Sequence, residues 1–548
     1  MATIGEHYNR KVSYFYDATI GDSYFGEKHP MKPFRIVIAH HLIMKYGLYK
    51  KMKIYRPYRA TQEDMLKFHA EDYVLFLRNI NEGFVLSNEV KDLTKRFSIG
   101  TKENDCPIFK GVYDLAQVST GGSISAASSI VLGNADIAIN WAGGLHHAKK
   151  AEARGFCYIN DIVLCILELL KFYKRVLYID IDVHHGDGVE EAFFTTDRVM
   201  TVSFHRFGDE FFPGTGGFND IGAGKGKYYS INVPLKAGLD DDDYEKIFIP
   251  VMLRVMEVYD PSVIVLQCGA DSLAGDRLGD FNLTLRGHGR CVEFMRRYNI
   301  PLILLGGGGY TVKNVSRCWC YETAIALNTE IPDELPKNQY SKYFRHITKL
   351  HIKPERVTNY NTPEYLNQCI EHAYETLRNL QPVPSAQYMD TPPLLVEPST
   401  EESVPRLNPS SVHSRPPSAD QSLSPNLRRR SPPKSPDSNK RTSPFSVKSN
   451  VTEIVRFWTD NLSTDIRHHQ DPSSEYIQSL NAVLEISDDD ENTDQKSLTD
   501  EKSEDKIITD ENSDHTMSAE SADTSIITLS EIDSDEDFNI EENQDVFE

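Results

Sequence analysis

Residues 176–188 read Val-Leu-Tyr-Ile-Asp-Ile-Asp-Val-His-His-Gly-Asp-Gly. The run Val176–Ile181 is nearly continuous in apolar side chains instead of alternating, which is the pattern of a strand covered on both faces. It ends in a cluster of carboxylates and imidazoles. The same kind of run recurs at Ile137–Trp141, Val199–Phe204, Tyr229–Val233, Val263–Gln267 and Leu302–Leu305. Between the runs lie stretches with helical spacing. In Asp161–Tyr173, Ile162, Ile166, Leu169 and Leu170 share one face, and Tyr244–Tyr259 is a second helix. Strand–helix alternation of this kind predicts an α/β fold: a single large domain with a mainly parallel central sheet covered by helices. Ligands of such sheets bind outside the C-terminal strand ends. The residues that follow each run are therefore the ones to read for chemistry.

The chain has 548 residues, 39% of them hydrophobic, with 59 Lys and Arg against 81 Asp and Glu. Its net charge of -22 is unevenly placed. Residues 485–548 hold 24 acidic residues and three lysines, which leaves 57 acids against 56 bases in the first 484. A nearly neutral body argues against direct, sequence-specific DNA binding through the chain's own phosphate contacts. The N-terminal residues mix charge among their apolar positions, unlike a secretory signal. No uncharged apolar run is long enough to span a membrane. The eight cysteines form no C-x-x-C pair and are expected to be reduced thiols.

Three segments are expected: a catalytic body at 10–380, a disordered Ser/Pro/basic linker at 381–484, and a disordered acidic tail at 485–548. Residues 451–462 form an amphipathic island around Trp458, read as a short helix. Ser424, Ser431, Ser435 and Ser443 each precede proline among Arg428, Arg429, Arg430, Lys434, Lys440 and Arg441, a pattern that suits a nuclear localisation signal.

The chemistry begins after Val176–Ile181. Asp182 and His184 are two apart at a strand end, so their side chains project to the same side. Asp271 follows the Val263–Gln267 run, where an unpaired carboxylate would be costly. Two aspartates and one histidine suit Zn²⁺ or Fe²⁺, and three protein ligands leave a position open for water and substrate. After Ile137–Trp141 come two glycines, Leu145, and the pair His146-His147, suited to general acid–base work. Asp180 and Asp187 are both candidates for orienting these histidines. After Leu302–Leu305 come Gly306 to Gly309 and Tyr310, whose hydroxyl can donate to a developing oxyanion. No phosphate-binding glycine pattern accompanies that run. Together these groups suit metal-assisted hydrolysis of an amide or ester.

The segments His29 to Pro33, Asp105-Cys106-Pro107, Ser119 to Gly122, Trp141 to Ala148, Gly155 to Asp161, Asp180 to Gly188, Phe212 to Gly216, Asp271 to Gly279 and Gly306 to Tyr310 resemble, in order and spacing, a class I (nuclear type) histone deacetylase. The resemblance implies the arginase/deacetylase fold and hydrolysis of N6-acetyl-lysine on histones. It implies Zn²⁺ at Asp182, His184 and Asp271, with His147 as general base and acid, His146 beside it, and Tyr310 on the oxyanion. It places Phe156 and Phe212 on the walls of an acyl-lysine tunnel, with Gly155 also in the substrate site. Leu278 would lie at the rim, and Asp105 would hold the substrate backbone. It also implies K⁺ at Asp180, Asp182, His184, Ser203 and Phe204, and again at Phe193, Thr196, Val199 and Tyr229. Inositol phosphate would meet Lys32, Arg277 and Lys313, although Lys313 stands where most relatives have arginine and Lys28 where they usually have glycine. Acetylated histone tails and corepressor subunits are the implied partners, and the nucleus, with the cytoplasm as a second location, the implied place of action. Two other readings compete: an amidohydrolase of small acetylated amines, and a corepressor scaffold.

Overall fold

The structure, a computed structural model, describes residues 10–80, 88–100, 105–208 and 210–380, with the side chains of 88–90 left aside. The linker, the 451–462 island and the acidic tail lie outside the described residues. Eight strands form one sheet: β1 (Val12–Phe15), β2 (Lys53–Tyr55), β3 (Ile137–Asn140), β4 (Val176–Asp180), β5 (Val199–Arg206), β6 (Ser230–Leu235), β7 (Val263–Gln267) and β8 (Leu302–Leu305). Their spatial order is β2-β1-β3-β8-β7-β4-β5-β6, and every pair is parallel.

Alternate residues of the central strands serve two separate cores. Ile137, Ile139, Leu177, Ile179, Ile264, Leu266, Leu302 and Leu304 face one side. Ala138, Val176, Tyr178, Val263, Val265, Ile303 and Leu305 face the other. Helices Phe34–Lys45, Asp241–Tyr259, Leu285–Arg296, Val312–Ala326 and Pro363–Arg378 bring Ile38, Val251, Val292, Trp319 and Leu366 to the first core. Helices Val112–Val131, Asp161–Leu169 and Asp187–Phe193 bring Ala127, Ile166 and Val189 to the second. Burial on both faces is why the runs are continuous and not alternating.

The six expected strands are all present. β1 and β2 carry no such run: Ser13 interrupts the four residues of β1, and β2 is a three-residue edge strand, partly exposed and led by Lys53. The helix expected over Asp161–Tyr173 stops at Leu169, where the chain continues in turns closed by Lys171 N–H on Glu168 O and Tyr173 N–H on Leu169 O. The helix expected from Tyr244 starts at Asp241. The Asp240 side chain caps the Asp243 N–H, and three aspartates in the first turn suit the positive end of the helix dipole.

The register sets up the site. Asn140, Leu305, Gln267 and Asp180 lie side by side across β3, β8, β7 and β4, and Ser203 of β5 continues the row. The four loops that follow these adjacent strands therefore leave the sheet level with one another, at one edge. Among the described residues no helix is long and apolar enough to cross a membrane, and all eight cysteines are unpaired and buried.

Candidate active site and metal centre

Asp182, His184 and Asp271 converge beyond the ends of β4 and β7, all three buried. His184 Nδ1 lies 3.1 Å from Asp182 Oδ1 and 3.1 Å from Asp271 Oδ2. The remaining oxygens are pinned. Asp182 Oδ2 accepts from Gln267 Nε2 and the Gly308 N–H, each at 2.8 Å, and Asp271 Oδ1 accepts from the Val183 N–H at 2.9 Å. One imidazole nitrogen carries at most one hydrogen and cannot serve both carboxylates. A cation between the three atoms would satisfy all of them, and the donor set of one nitrogen and two oxygens fits a borderline divalent ion such as Zn²⁺. Burial and the neighbouring Asp182 raise the Asp271 carboxyl to about 7, while the charges and donors around Asp182 hold it well below the usual range despite its burial. Burial opposes charge on His184, but Asp271 and Asp182 outweigh it and raise it to about 10.

The loop after β8 closes over this centre. A Cβ on Gly308 would run into the Asp271 and Asp182 carboxylates, so the backbone can pass only as glycine. Arg35, from helix Phe34–Lys45, reaches through the core to clamp this loop, bonding Gly307 O at 2.6 Å and also Gly309 O. Asp276 Oδ2 accepts the Tyr310 N–H at 2.7 Å, which fixes where the tyrosine leaves the loop. The Tyr310 ring then stands 6.5 Å from the His184 ring.

The two histidines after β3 each have their own carboxylate. His146 Nδ1 is 2.8 Å from Asp180 Oδ2, which also accepts from Tyr178 Oη at 2.6 Å. His147 Nδ1 is 2.7 Å from Asp187 Oδ1, and Lys149 Nζ holds Asp187 Oδ2 at 2.8 Å. Similar pairing shifts the two in opposite directions. Burial lowers His146, but Asp180 and Asp182 overcome it and raise it to about 9. Burial and the adjacent charged His146 lower His147 to about 3. His147 is thus neutral, with its hydrogen on Nδ1 toward Asp187 and a lone pair on Nε2.

Aromatic rings line the approach. Phe212 meets the His147 ring edge-on at 4.9 Å, and Phe156 meets Tyr310 edge-on at 5.6 Å. Gly155 takes a left-handed backbone (φ 53°) where a Cβ would strike the His147 ring, and Phe156 follows at φ 65°, a strained value for an aromatic residue. Leu278 is exposed at 38%, and Asp105 is exposed, with its carbonyl 3.1 Å from His29 Nε2.

The remaining expected residues fall in three places. Ser203, Phe204, Asp180, Asp182 and His184 share the site edge of β4 and β5. Phe193, Thr196, Val199 and Tyr229 lie at the opposite end, around the start of β5. Arg277 is exposed on the loop after β7 and Lys313 in the first turn of helix Val312–Ala326, the two joined by Thr311 Oγ1 donating to Gly275 O, and Lys32 Nζ donates to Glu27 O at 2.7 Å.

Sequence reading missed Arg35, Gln267, Asp276 and Lys149. A lone arginine in the apolar stretch Phe34–Met44 was the one available signal for Arg35. A second convergence of donors also went unread. His288, Cys318 and Glu322 meet behind the β7 loop, with His288 Nδ1 2.6 Å from Glu322 Oε1 and Nε2 2.8 Å from Gly269 O.

A family profile described as "Histone deacetylase domain" matches residues 29–326. Among curated proteins the chain is 58% identical to "Histone deacetylase 1" of Homo sapiens over 383 residues, covering 70% of this chain and 78% of that protein. It is 58% identical over 386 residues to "Histone deacetylase HDAC1" of Drosophila melanogaster, covering 70% and 73%. It is 56% identical over 384 residues to "Type-1 histone deacetylase 1" of Dictyostelium discoideum, covering 70% and 76%. With this coverage, on an all-parallel sheet whose adjacent strand ends gather the Asp182, His184 and Asp271 donors, the chain belongs to the histone deacetylase family.

Proposed function

We propose that this chain hydrolyses N6-acetyl-lysine on histones to lysine and acetate in a metal-dependent reaction. The observation that carries this reading is His147, held at Nδ1 by Asp187 and bonded at Nε2 to no other group among the described residues, beside the Asp182–His184–Asp271 donors. A divalent cation, Zn²⁺ by family, held by those three side chains would polarise the acetyl carbonyl and make water a stronger acid.

His147 Nε2 takes the proton as water adds to the carbonyl carbon. It returns a proton to the lysine nitrogen as the C–N bond breaks, releasing amine and acetate. Asp187 keeps the His147 hydrogen on Nδ1 and stabilises the charge that forms. The Tyr310 hydroxyl donates to the carbonyl oxygen as it becomes negative. His146, held through Nδ1 by Asp180, packs 3.9 Å from the His147 ring and fixes its place beside the reacting atoms. Phe156, Phe212 and Gly155 form the tunnel for the methylene chain, with Leu278 at its rim and Asp105 holding the peptide backbone.

Other assignments complete the reading. K⁺ binds at the two sets on β4 and β5 named above, and inositol phosphate binds at Lys32, Arg277 and Lys313. The body at 10–380 works with corepressor subunits in the nucleus. The linker at 381–484 carries the localisation signal, and the tail at 485–548 leaves turnover unaffected.

The test is deacetylation of acetylated histone peptides by purified full-length protein, with and without a chelator and with metal analysis. Turnover lost on chelation and restored by Zn²⁺ is expected. Chelator-insensitive turnover, or none by the metal-loaded protein, overturns the reading.

A further inference from the structure

Arg154 immediately precedes Gly155 and Phe156, and the deacetylation mechanism does not use it. Its guanidinium carbon lies 5.3 Å from the centre of the Phe212 ring, and Nη2 donates to Pro213 O at 3.4 Å. The cation is therefore laid against one wall residue of the tunnel and oriented there. Its backbone N–H donates to Cys157 O at 3.0 Å, and Cys106 Sγ approaches the same carbonyl at 3.9 Å. Cys106 Sγ also lies 3.7 Å from Asp105 Oδ1. Arg154 and Asp105, one of each charge, are thus linked through the Cys157 carbonyl and Cys106.

The nearest carboxylate to Arg154 is Asp187, whose Oδ2 is 3.8 Å from Nε, too long for a hydrogen bond. Asp187 is already committed to His147 and Lys149. The Arg154 side chain remains 35% exposed. It is a cation oriented by a ring and a carbonyl, with guanidinium hydrogens left over and a long ion pair to Asp187, at 3.8 Å, as its one carboxylate contact among the described residues. Such a fork matches a carboxylate and meets a second cation with repulsion.

We propose that Arg154 is a specificity-determining residue: it favours an acidic residue beside the acyl-lysine and disfavours a basic one. The inference rests on the deacetylase reading and adds to it a sorting rule among acetylated sites. A half-exposed charge pair is modest in strength, so the expected preference is about three- to fivefold.

The experiment uses the full chain and two acetyl-lysine peptides that differ only in carrying Asp or Arg next to the acetyl-lysine. In wild type at low salt, kcat/KM for the Asp peptide should exceed that for the Arg peptide about three- to fivefold, mainly through KM. Arg154→Lys should keep the preference, Arg154→Ala should bring the two peptides close to parity, and Arg154→Glu should reverse it. Raising the salt to about 0.5 M should compress the wild-type preference, because exposed charges are screened within a few ångströms there. If Arg154 only props Phe212, its loss would slow both peptides equally. A ratio unchanged across the variants, with thermal melting showing them folded, overturns the proposal. Turnover of neither peptide by wild type overturns the deacetylase reading, whereas turnover of both at a fixed ratio overturns this inference alone.

Discussion

Among the described residues, three buried histidines lie within 2.8 Å of a carboxylate oxygen, and they divide into two regions. His146–Asp180 and His147–Asp187 stand at the carboxyl edge of the sheet, with contacts of 2.8 and 2.7 Å. His288–Glu322 stands between helices Leu285–Arg296 and Val312–Ala326, at 2.6 Å. The first contact is nearly the same in each; the second nitrogen differs. His288 Nε2 is spent on Gly269 O, so the ring is closed at both ends and fixes the backbone two residues before Asp271. His147 Nε2 bonds no group among the described residues, and its ring stands 4.9 Å from that of Phe212 and 5.9 Å from that of His184. On the proposed mechanism, a shared pairing serves as a base in one region and a brace in the other, according to whether its far nitrogen is left open.

The largest effect should fall on the open pair. His147→Ala should lower kcat by about 10⁴-fold, the upper end of what a general acid–base group contributes, with an unchanged melting temperature. Turnover within tenfold of wild type would place the base elsewhere. On the closed pair, the loss should appear in stability. Glu322→Ala leaves a buried imidazolium unpaired and should cost about 3–5 kcal/mol in urea unfolding, whereas His288→Leu combined with Glu322→Leu should be close to neutral. Equal costs for the single and double changes would mean that packing, not charge, holds this region. Next, Tyr310→Phe removes one oxyanion donor and should lower kcat by about 10²–10³-fold, or about 2.7–4 kcal/mol, with KM little changed. A change confined to KM would make Tyr310 a wall of the tunnel and not a donor.

The open region was far more legible in the sequence than the closed one, for a physical reason. Asp182, His184, Asp271 and Tyr310 each follow an apolar run directly, so strand-end logic places them together before any contact is known. Pairing each histidine with its own aspartate was not legible, since Asp180 and Asp187 are both close in sequence to the metal donors. Arg35 and Asp276 act on the glycine loop from distant or backbone positions, and nothing local marks them as its clamps. His288, Cys318 and Glu322 sit within ordinary helical patterns, and only the packing of two helices brings them face to face. β1 and β2 escaped because Ser13 breaks the apolar run of β1, and β2 has only three residues, led by Lys53.

The smallest expected effect tests whether the closed pair is ionic. Burial opposes charge on His288, but Cys318 and Glu322 overcome it and hold the imidazole well above its usual 6.5. A histidine raised in the folded state contributes stability that is complete below about pH 6.5 and is lost as pH climbs through the folded value. Cys318 is pushed up to about 11 by its burial, so over most of that window its thiol is neutral and the charge that favours the imidazolium is that of Glu322. The stability of wild type relative to the His288→Leu/Glu322→Leu variant, measured by urea unfolding from pH 6 to pH 10, should therefore fall on the alkaline side. The limiting slope is about 1.4 kcal/mol per pH unit. Parallel stability curves across that range would mean that His288 is neutral and hydrogen-bonded only, and the contrast with His147 would then rest on geometry and not on charge.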